Sequence, residues 1–135
     1  MPDYSHRDIL DKLGVKPGDL VAFVETAGPI DATLRGRVLE RTGRPPARPD
    51  EAANIVLVTI DSTIDVVLLL KECKARIEPN GGIWLLTPKR GLPGYVDQRE
   101  LIEAGPSAGL VDNKSCSVSD TTSGMRFVIR KVDRP

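Results

Sequence analysis

The sequence predicts an α/β fold with three layers, in which helices cover both faces of a doubly wound, mostly parallel sheet of five to six strands. Unbroken apolar runs at residues 20–24, 54–60 and 83–87 are too short for helices and are typical of strands covered on both faces. Segments with helical spacing of apolar residues lie between these runs, as parallel strands require. Two strand-like segments flank a turn-rich stretch at the end of the chain, which predicts a C-terminal antiparallel hairpin.

Length and composition fit one globular domain. The 135 residues fall within the usual size of a single domain, and 40% of them are hydrophobic. The 19 basic residues are balanced by 19 acidic ones, so we expect neither a membrane nor nucleic acid to be attracted by an overall field. The polar start of the chain, Met1 to Arg7, has no apolar signal core, which predicts a cytoplasmic protein with reduced cysteines.

The N-terminal region, residues 1–18, is predicted to contain one short helix. Ser5 and Asp8 have the spacing of a capping box, apolar residues follow at helical spacing, and Gly14 ends the helix. A Pro-Gly turn then leads into the first core strand at residues 20–24.

The next thirty residues carry weaker signals. A short helix or turn is expected from Gly28 to Leu34, and residues 36–40 are predicted to form a brief second strand. Arg41 to Asp50 contains three prolines and several arginines, a composition that indicates an exposed loop between two halves of one domain.

The middle of the chain carries the clearest pattern. The β-branched run at residues 54–60 predicts a strand, and Asp61-Ser62 follows it as a helix cap. Residues 63–78 are predicted to form a long amphipathic helix, because apolar residues recur there at helical spacing. The turn residues 79–82 should end this helix before the strand at residues 83–87.

The C-terminal part is predicted to contain one helix and the closing hairpin. The helix should span residues 96–104, and the two strands should span residues 111–118 and 125–132, with a turn at 119–124. An exposed edge strand at this side leaves homodimerisation open.

Several segments resemble a bacterial family known as domain of unknown function 3052, over most of the chain from Leu10 onward. They are KLGVKPG (12–18), PNGGIW (79–84), TPK (87–89), AGLVD (108–112) and GMRF (124–127). The family name implies no activity. More distantly, residues 77–85, residues 101–105 and the hairpin resemble the C-terminal half of class I S-adenosylmethionine-dependent methyltransferases, which implies a Rossmann-like, methyltransferase-like fold.

A ligand is expected beyond the carboxyl ends of the parallel strands, near the switch in strand order, as in other open α/β sheets. Residues that follow the predicted strands should gather there. The candidate ligand-binding residues are Glu25, Thr26, Gly28, Asp61, Ser62, Thr87 and Lys89.

The resemblance to methyltransferases implies S-adenosylmethionine at a glycine-rich turn after the first strand. Here that turn, residues 25–29, contains one glycine, and Pro29 removes a backbone donor. We therefore expect no cofactor, with S-adenosylmethionine or a nucleotide as the alternative. Glu40, at the end of the weak second strand, is a candidate for ribose hydroxyls, although a solvated carboxylate is the simpler interpretation.

Arginines cluster in one stretch of the sequence, at positions 35, 37, 41, 44 and 48. The candidate anion-binding residues are Arg41, Arg44 and Arg48 in this stretch, together with Arg90. The stretch lacks interleaved aromatic residues, so it does not have the pattern of a nucleic-acid site.

No catalytic or metal-binding constellation is visible. His6 is the single histidine. Cys73 and Cys116 have neither zinc-finger nor CxxC spacing, so both are predicted to be small apolar residues of the packed interior. Trp84 is predicted to pack in the hydrophobic core rather than to stack on a ligand. The leading hypothesis is a non-catalytic binding or regulatory module. The alternatives are a divergent methyltransferase or nucleotide-binding enzyme that uses Glu25, Asp61 and Lys89, and an anion or nucleic-acid contact through the arginine-rich loop.

Overall fold

The structure, a computed structural model, describes residues 8–135. Its sheet has five strands: β1 (Val21–Val24), β2 (Ala53–Thr59), β3 (Ile77–Pro88), β4 (Val111–Ser117) and β5 (Thr122–Val128). Their order across the sheet is β1-β2-β3-β5-β4. The pairs β1/β2 and β2/β3 are parallel, whereas β3/β5 and β5/β4 are antiparallel, so every strand except β5 points the same way. The predicted mostly parallel sheet with a closing hairpin is confirmed.

Helices cover both faces of this sheet. They are α1 (Ile9–Leu13), α2 (Ala32–Thr42), α3 (Val66–Lys74) and α4 (Gln98–Ser107), followed by a 3-10 turn at Lys131–Asp133. One hydrophobic cluster joins α1 and α2 to the sheet, and the other joins α3 and α4 to the opposite face. The predicted three-layer arrangement is confirmed.

The side chains of β3 alternate between the two clusters. Ile83 and Leu85 pack towards α3 and α4, while Trp84 and Leu86 pack towards α1 and α2. Trp84 is 1% exposed, and its indole N–H donates to the backbone carbonyl of Leu13 at 3.0 Å. This hydrogen bond fastens the short helix α1 to the sheet.

The predicted strand at residues 36–40 is wrong, because these residues lie within α2. The Asp31 carboxylate caps this helix by accepting from the N–H of Leu34 at 3.0 Å, and Gly43 ends it with φ 67°. Leu34 and Val38, four residues apart, are buried on the sheet. Glu40 is therefore exposed on a helix and does not end a strand, which removes the basis for its ribose role.

The same helix shortens the predicted loop at residues 41–50. Arg41 belongs to the last turn of α2, and the loop begins at Gly43. Its backbone then covers the outer edge of the sheet, where the N–H of Ala47 donates to the carbonyl of Val21 in β1 at 2.8 Å. The loop thus satisfies part of an edge that would otherwise present unpaired backbone groups.

The long helix predicted over residues 63–78 is shorter, because α3 ends at Lys74 and Ile77 already belongs to β3. The predicted helix-ending segment 79–82 lies inside β3, where Gly82 pairs with Ile55. The cap is also displaced, since the Asp65 carboxylate rather than Asp61 or Ser62 accepts the N–H of Leu68, at 3.1 Å. Tertiary pairing with β2 decides this boundary.

The remaining boundaries differ by a few residues. Helix α4 extends to Ser107, with Pro106 in its last turn, instead of ending at residue 104. Strand β5 begins at Thr122 rather than at 125, so the hairpin turn is shorter than predicted. At the start of the chain, Asp8 is the cap of α1, and the predicted partner Ser5 lies outside the described residues. No helix within residues 8–135 is long and apolar enough to cross a bilayer.

Candidate functional site

A cavity of about 670 Å³ opens at the carboxyl ends of β1, β2 and β3. Its walls come from the turn after β1, the start of α2, the ends of β2 and β3, helix α1 and the hairpin turn. The lining residues that matter most below are Ile9, Thr33, Arg37, Asp61, Leu86 and Thr87. The sequence argument placed a ligand at this edge of the sheet. The order of the three parallel strands, however, is sequential, so no reversal of strand order marks the cavity.

The turn after β1 is held in shape by its neighbours. The Glu25 carboxylate accepts from the N–H of Ile30 at 2.7 Å, and the Thr59 hydroxyl at the end of β2 donates to the carbonyl of Gly28 at 2.7 Å. Gly28 has φ 109°, a conformation that other residues rarely adopt. Glu25 and Gly28 therefore shape the wall of the cavity through the backbone.

Asp61 follows β2 and carries a negative charge at the cavity. Its Oδ1 accepts both the hydroxyl and the backbone N–H of Thr63, and these hydrogen bonds hold the pKa of the carboxyl below its usual range. Its second oxygen makes no hydrogen bond with a residue between 8 and 135. Asp61 is thus an ionised acceptor with one oxygen free of described partners.

Helix α1 is tied to α2 across one side of the cavity. Arg37 lines the cavity and pairs with Asp8 at 2.6 Å. The backbone N–H of Leu10, and then the guanidinium of Arg37, hold the pKa of the Asp8 carboxyl below its usual value. Because Arg37 is already paired, Asp61 and Asp31 dominate the charge of the lining.

The predicted ligand-binding residues separate into two groups. Asp61 and Thr87 line the large cavity. The other five lie close in sequence to the lining residues but are not part of the wall: Glu25, Thr26, Gly28, Ser62 and Lys89. Polar groups of four of these residues, all except Thr26, bond to other described residues. The Ser62 N–H donates to the carbonyl of Gly94 at 3.0 Å, and the Lys89 ammonium donates to the Ser117 hydroxyl at 2.7 Å.

The four candidate anion-binding arginines are not brought together. Arg41 pairs with Asp11 at 2.7 Å, Arg44 donates to the carbonyl of Gly18 at 3.2 Å, and Arg48 lies 3.4 Å from Glu51. These three lie near the end of α2, which contacts the segment before β1 and therefore lies at the opposite end of the sheet from the cavity. Arg90, in contrast, follows β3 at the cavity end.

Sequence reasoning missed the contributions of α1 and of the hairpin turn. Ile9 lines the cavity from α1, and Val118, Ser119, Thr121 and Thr122 line it from the hairpin. These segments are far from β1 and β2 in the chain, and no local pattern marks them as neighbours of a site.

Neither described cysteine is activated as a nucleophile, and the described residues form no metal-binding cluster. No group of three or more His, Cys, Asp or Glu within residues 8–135 could hold a metal ion. Burial raises the pKa of the Cys73 thiol to about 11 and also raises that of Cys116, so both thiols are protonated at neutral pH. The single histidine, His6, lies outside the described residues.

Solved structures with a similar fold include several methyltransferases. A SAM-dependent methyltransferase from Aquifex aeolicus matches with a TM-score of 0.68 at 12% identity, covering 90% of this chain and 88% of that one. The CcbJ methyltransferase from Streptomyces caelestis matches with a TM-score of 0.60 at 8% identity, covering 95% and 90%. A structure described as a pericyclic reaction enzyme also matches, with a TM-score of 0.56 at 14% identity over 96% of this chain and 49% of that one. These likenesses establish a methyltransferase-like fold, which by itself does not specify a reaction.

Sequence relatives identify the family. The uncharacterized protein Rv2239c of Mycobacterium tuberculosis is 30% identical over 112 residues, which cover 81% of this chain and 71% of that protein. The uncharacterized protein Mb2263c of Mycobacterium bovis matches to the same extent. The model of the family described as "Protein of unknown function (DUF3052)" matches residues 10–131 of this chain. With its methyltransferase-like fold, this chain therefore belongs to the DUF3052 family, in agreement with the resemblance seen in its sequence.

Proposed function

We propose that this protein is a non-catalytic module that binds a small organic molecule of about the size of a nucleoside in the large cavity. The observation that carries the proposal is the cavity itself, whose volume of about 670 Å³ falls within the range of roughly 300–1,000 Å³ that is usual for small-molecule sites. Its place beyond the carboxyl ends of parallel strands is where open α/β sheets bind ligands.

The lining suits a ligand with an apolar body and a few hydrogen-bond donors. Aliphatic side chains line much of the wall, including Ile9, Ile30, Leu34, Leu86 and Leu92. Asp61 offers an ionised oxygen without a described partner, which favours a hydroxyl or amine group on the ligand. Flat, hydroxyl-bearing molecules such as nucleosides combine these properties.

The same lining supports binding rather than chemistry. None of the described residues in the wall is a histidine, cysteine or lysine. Asp31 is occupied as the cap of α2, and the lowered pKa of Asp61 makes its carboxylate a weak base. A nucleophile activated by a neighbouring base is therefore missing from the described wall.

The second candidate function is a divergent methyltransferase, which the fold likeness favours. Against it, the turn after β1 has a single glycine, and β1 is the outer strand of the sheet. A methyltransferase would also need room for the methyl acceptor beside the methyl donor in one cavity.

Isothermal titration calorimetry and thermal shift with adenosine, adenosine triphosphate, S-adenosylmethionine and S-adenosylhomocysteine test the proposal. We expect at least one of these probes to bind, and a ligand at a hundred times its Kd to stabilise the fold by about 2.7 kcal/mol. The variant Thr33→Trp should abolish binding, because Thr33 is exposed on α2 and lines the cavity, so a large side chain there fills it with little effect on folding.

Thr26→Trp is the matched control, since Thr26 is exposed nearby but does not line the cavity. Asp61→Asn should weaken a ligand that donates to the carboxylate by about tenfold. Failure of all four probes to bind, or equal losses in the Thr33 and Thr26 variants, would reject the proposal. Transfer of labelled methyl groups from S-adenosylmethionine to an acceptor would replace it with the methyltransferase assignment.

A further inference from the structure

A second, smaller cavity lies at the same end of the sheet, on the face covered by α3 and α4. Its volume is about 210 Å³, and most of its lining side chains are polar. The polar members are Thr87, Arg90, Tyr95, Gln98 and Ser123, and the remaining lining residues are Val96, Leu101, Gly124 and Met125. The function proposed above does not use this cavity, although Thr87 lines both cavities.

Thr87 points into this cavity from the buried side. Its neighbour Leu86 packs towards α1 and α2, so the alternation of side chains directs Thr87 to the opposite face, where the small cavity lies. Thr87 is only 5% exposed, and its hydroxyl makes no hydrogen bond with a residue between 8 and 135. The hydroxyl keeps some accessible surface, because Arg76 Nε is the one fully buried side-chain polar atom without a partner among the described residues. It is therefore available to a group that enters the cavity.

Further polar groups surround the same space. Ser123 pairs directly with Thr87 across β3 and β5, so both hydroxyls lie on one face. Gln98 lines the cavity from the first residue of α4, a helix of ten residues whose N-terminal N–H groups carry partial positive charge. Neither the Ser123 hydroxyl nor the Gln98 amide bonds to another described side chain or backbone group.

Arg90 supplies a positive charge at the mouth. Its guanidinium lies 5.7 Å from the centre of the Tyr95 ring and donates to the Tyr95 hydroxyl at 3.4 Å. It forms no ion pair within 4.0 Å among the described residues. The hydrogen bond to Tyr95 and, after it, the negative charge of Asp97 raise the pKa of the Arg90 guanidinium. Asp97 itself caps α4, where its carboxylate accepts the N–H of Arg99 at 2.8 Å. The charge of Arg90 is therefore available to a ligand.

We propose that this small cavity binds an oxyanion of the phosphate type, held by Arg90, Tyr95, Gln98 and the hydroxyls of Thr87 and Ser123. A guanidinium with several neutral donors, beside a helix N-terminus, is the arrangement that proteins use for such groups. At roughly 30 Å³ per water molecule, 210 Å³ corresponds to about seven waters. The cavity therefore has room for a phosphate and a few atoms of the molecule that carries it, which points to a phosphate monoester.

Titration with inorganic phosphate and with methyl phosphate, followed by ³¹P NMR and calorimetry, tests this proposal. We expect methyl phosphate to bind at least as tightly as inorganic phosphate, because the cavity exceeds the size of the free ion. Arg90→Gln should weaken binding by about tenfold or more, since it removes a charged hydrogen-bond donor. Thr87→Val should weaken it by several-fold without a change in shape.

Arg99→Gln is the matched control, because Arg99 is exposed at the same helix end but does not line the cavity. It should leave the affinity unchanged. Absence of phosphate binding, or equal losses with Arg90→Gln and Arg99→Gln, would overturn the proposal. The variant Thr33→Trp shows in which cavity the phosphate binds, because Thr33 lines only the large one. If it abolishes phosphate binding, the anion enters the large cavity and the assignment to the small one fails, whereas the nucleoside proposal is judged by its own probes.

Discussion

Replacing Trp84 by Phe should destabilise the protein by about 2–5 kcal/mol. The substitution leaves the Leu13 carbonyl without its donor in a buried position, which costs about 1–3 kcal/mol. Loss of part of a ring that is 1% exposed adds about 1–2 kcal/mol through lost burial and a residual cavity. For a chain of this length, a loss of 3 kcal/mol lowers Tm by about 10 °C.

Calorimetry and chemical denaturation followed by circular dichroism measure this loss, since Trp84 is the only tryptophan and fluorescence disappears with it. Phe127→Leu is the control, because Phe127 is fully buried on the opposite face and its ring makes no hydrogen bond. The tryptophan substitution should cost more. A loss below about 1 kcal/mol, or one no larger than that of the control, would refute the role of the indole in holding α1.

Loosening of α1 has a consequence for the site. Ile9, in the same helix, forms part of the wall of the large cavity. Under the proposed function, Trp84→Phe should therefore also weaken nucleoside binding, although Trp84 itself does not line the cavity.

Two further predictions concern a glycine pair and a cysteine. Gly81→Ala should destabilise by about 1–3 kcal/mol in denaturant titrations, because its Cβ would lie 2.9 Å from the backbone carbonyl oxygen of Asn54. Gly82→Ala should cost less, since its Cβ would meet the far end of the Arg126 side chain, which can shift more easily than backbone; the reverse order would contradict this. Burial raises the pKa of the Cys73 thiol to about 11, so alkylation by iodoacetamide should be slow at pH 8 and accelerate towards pH 11. Rapid labelling of Cys73 in the folded protein at pH 8, measured by peptide mass spectrometry so that the half-buried Cys116 is counted separately, would disprove this. Labelling in guanidinium serves as the control.

The candidate site could be predicted in position but not in composition. The rule that ligands lie beyond the carboxyl ends of parallel strands pointed to the edge where the large cavity opens. Two of the predicted residues, Asp61 and Thr87, line that cavity, although the side chain of Thr87 faces the small cavity on the opposite side of the sheet. Ser62 and Lys89, one and two residues further along the chain, do not line the large cavity. The Ser62 N–H bonds to Gly94 and the Lys89 ammonium bonds to Ser117 instead. Both residues lie beyond the ends of their strands, where the path of the turn sets the direction of each side chain. Proximity in sequence therefore cannot decide which residue enters a cavity.

The arginines show the same limit. Their density in the sequence suggested a shared anion site, yet Arg41, Arg44 and Arg48 are engaged by groups at the opposite end of the sheet from Arg90. The acids that neutralise Arg37 and Arg41 lie in or beside α1, about thirty positions away in the chain. Charge density along a sequence does not reveal such distant partners.

The sequence by itself determined the three core strands, the two-sided burial and the closing hairpin, because continuous apolar runs and turn residues act locally and fit one kind of layer. Only the tertiary structure decided that residues 36–40 are helical and that residues 79–82 belong to β3. The first segment is helical because Leu34 and Val38 meet the sheet together, and the second is extended because β2 offers its backbone as a partner. Both cavities arise from the same cause, since their walls join segments that are distant in the chain and become neighbours only when the layers pack.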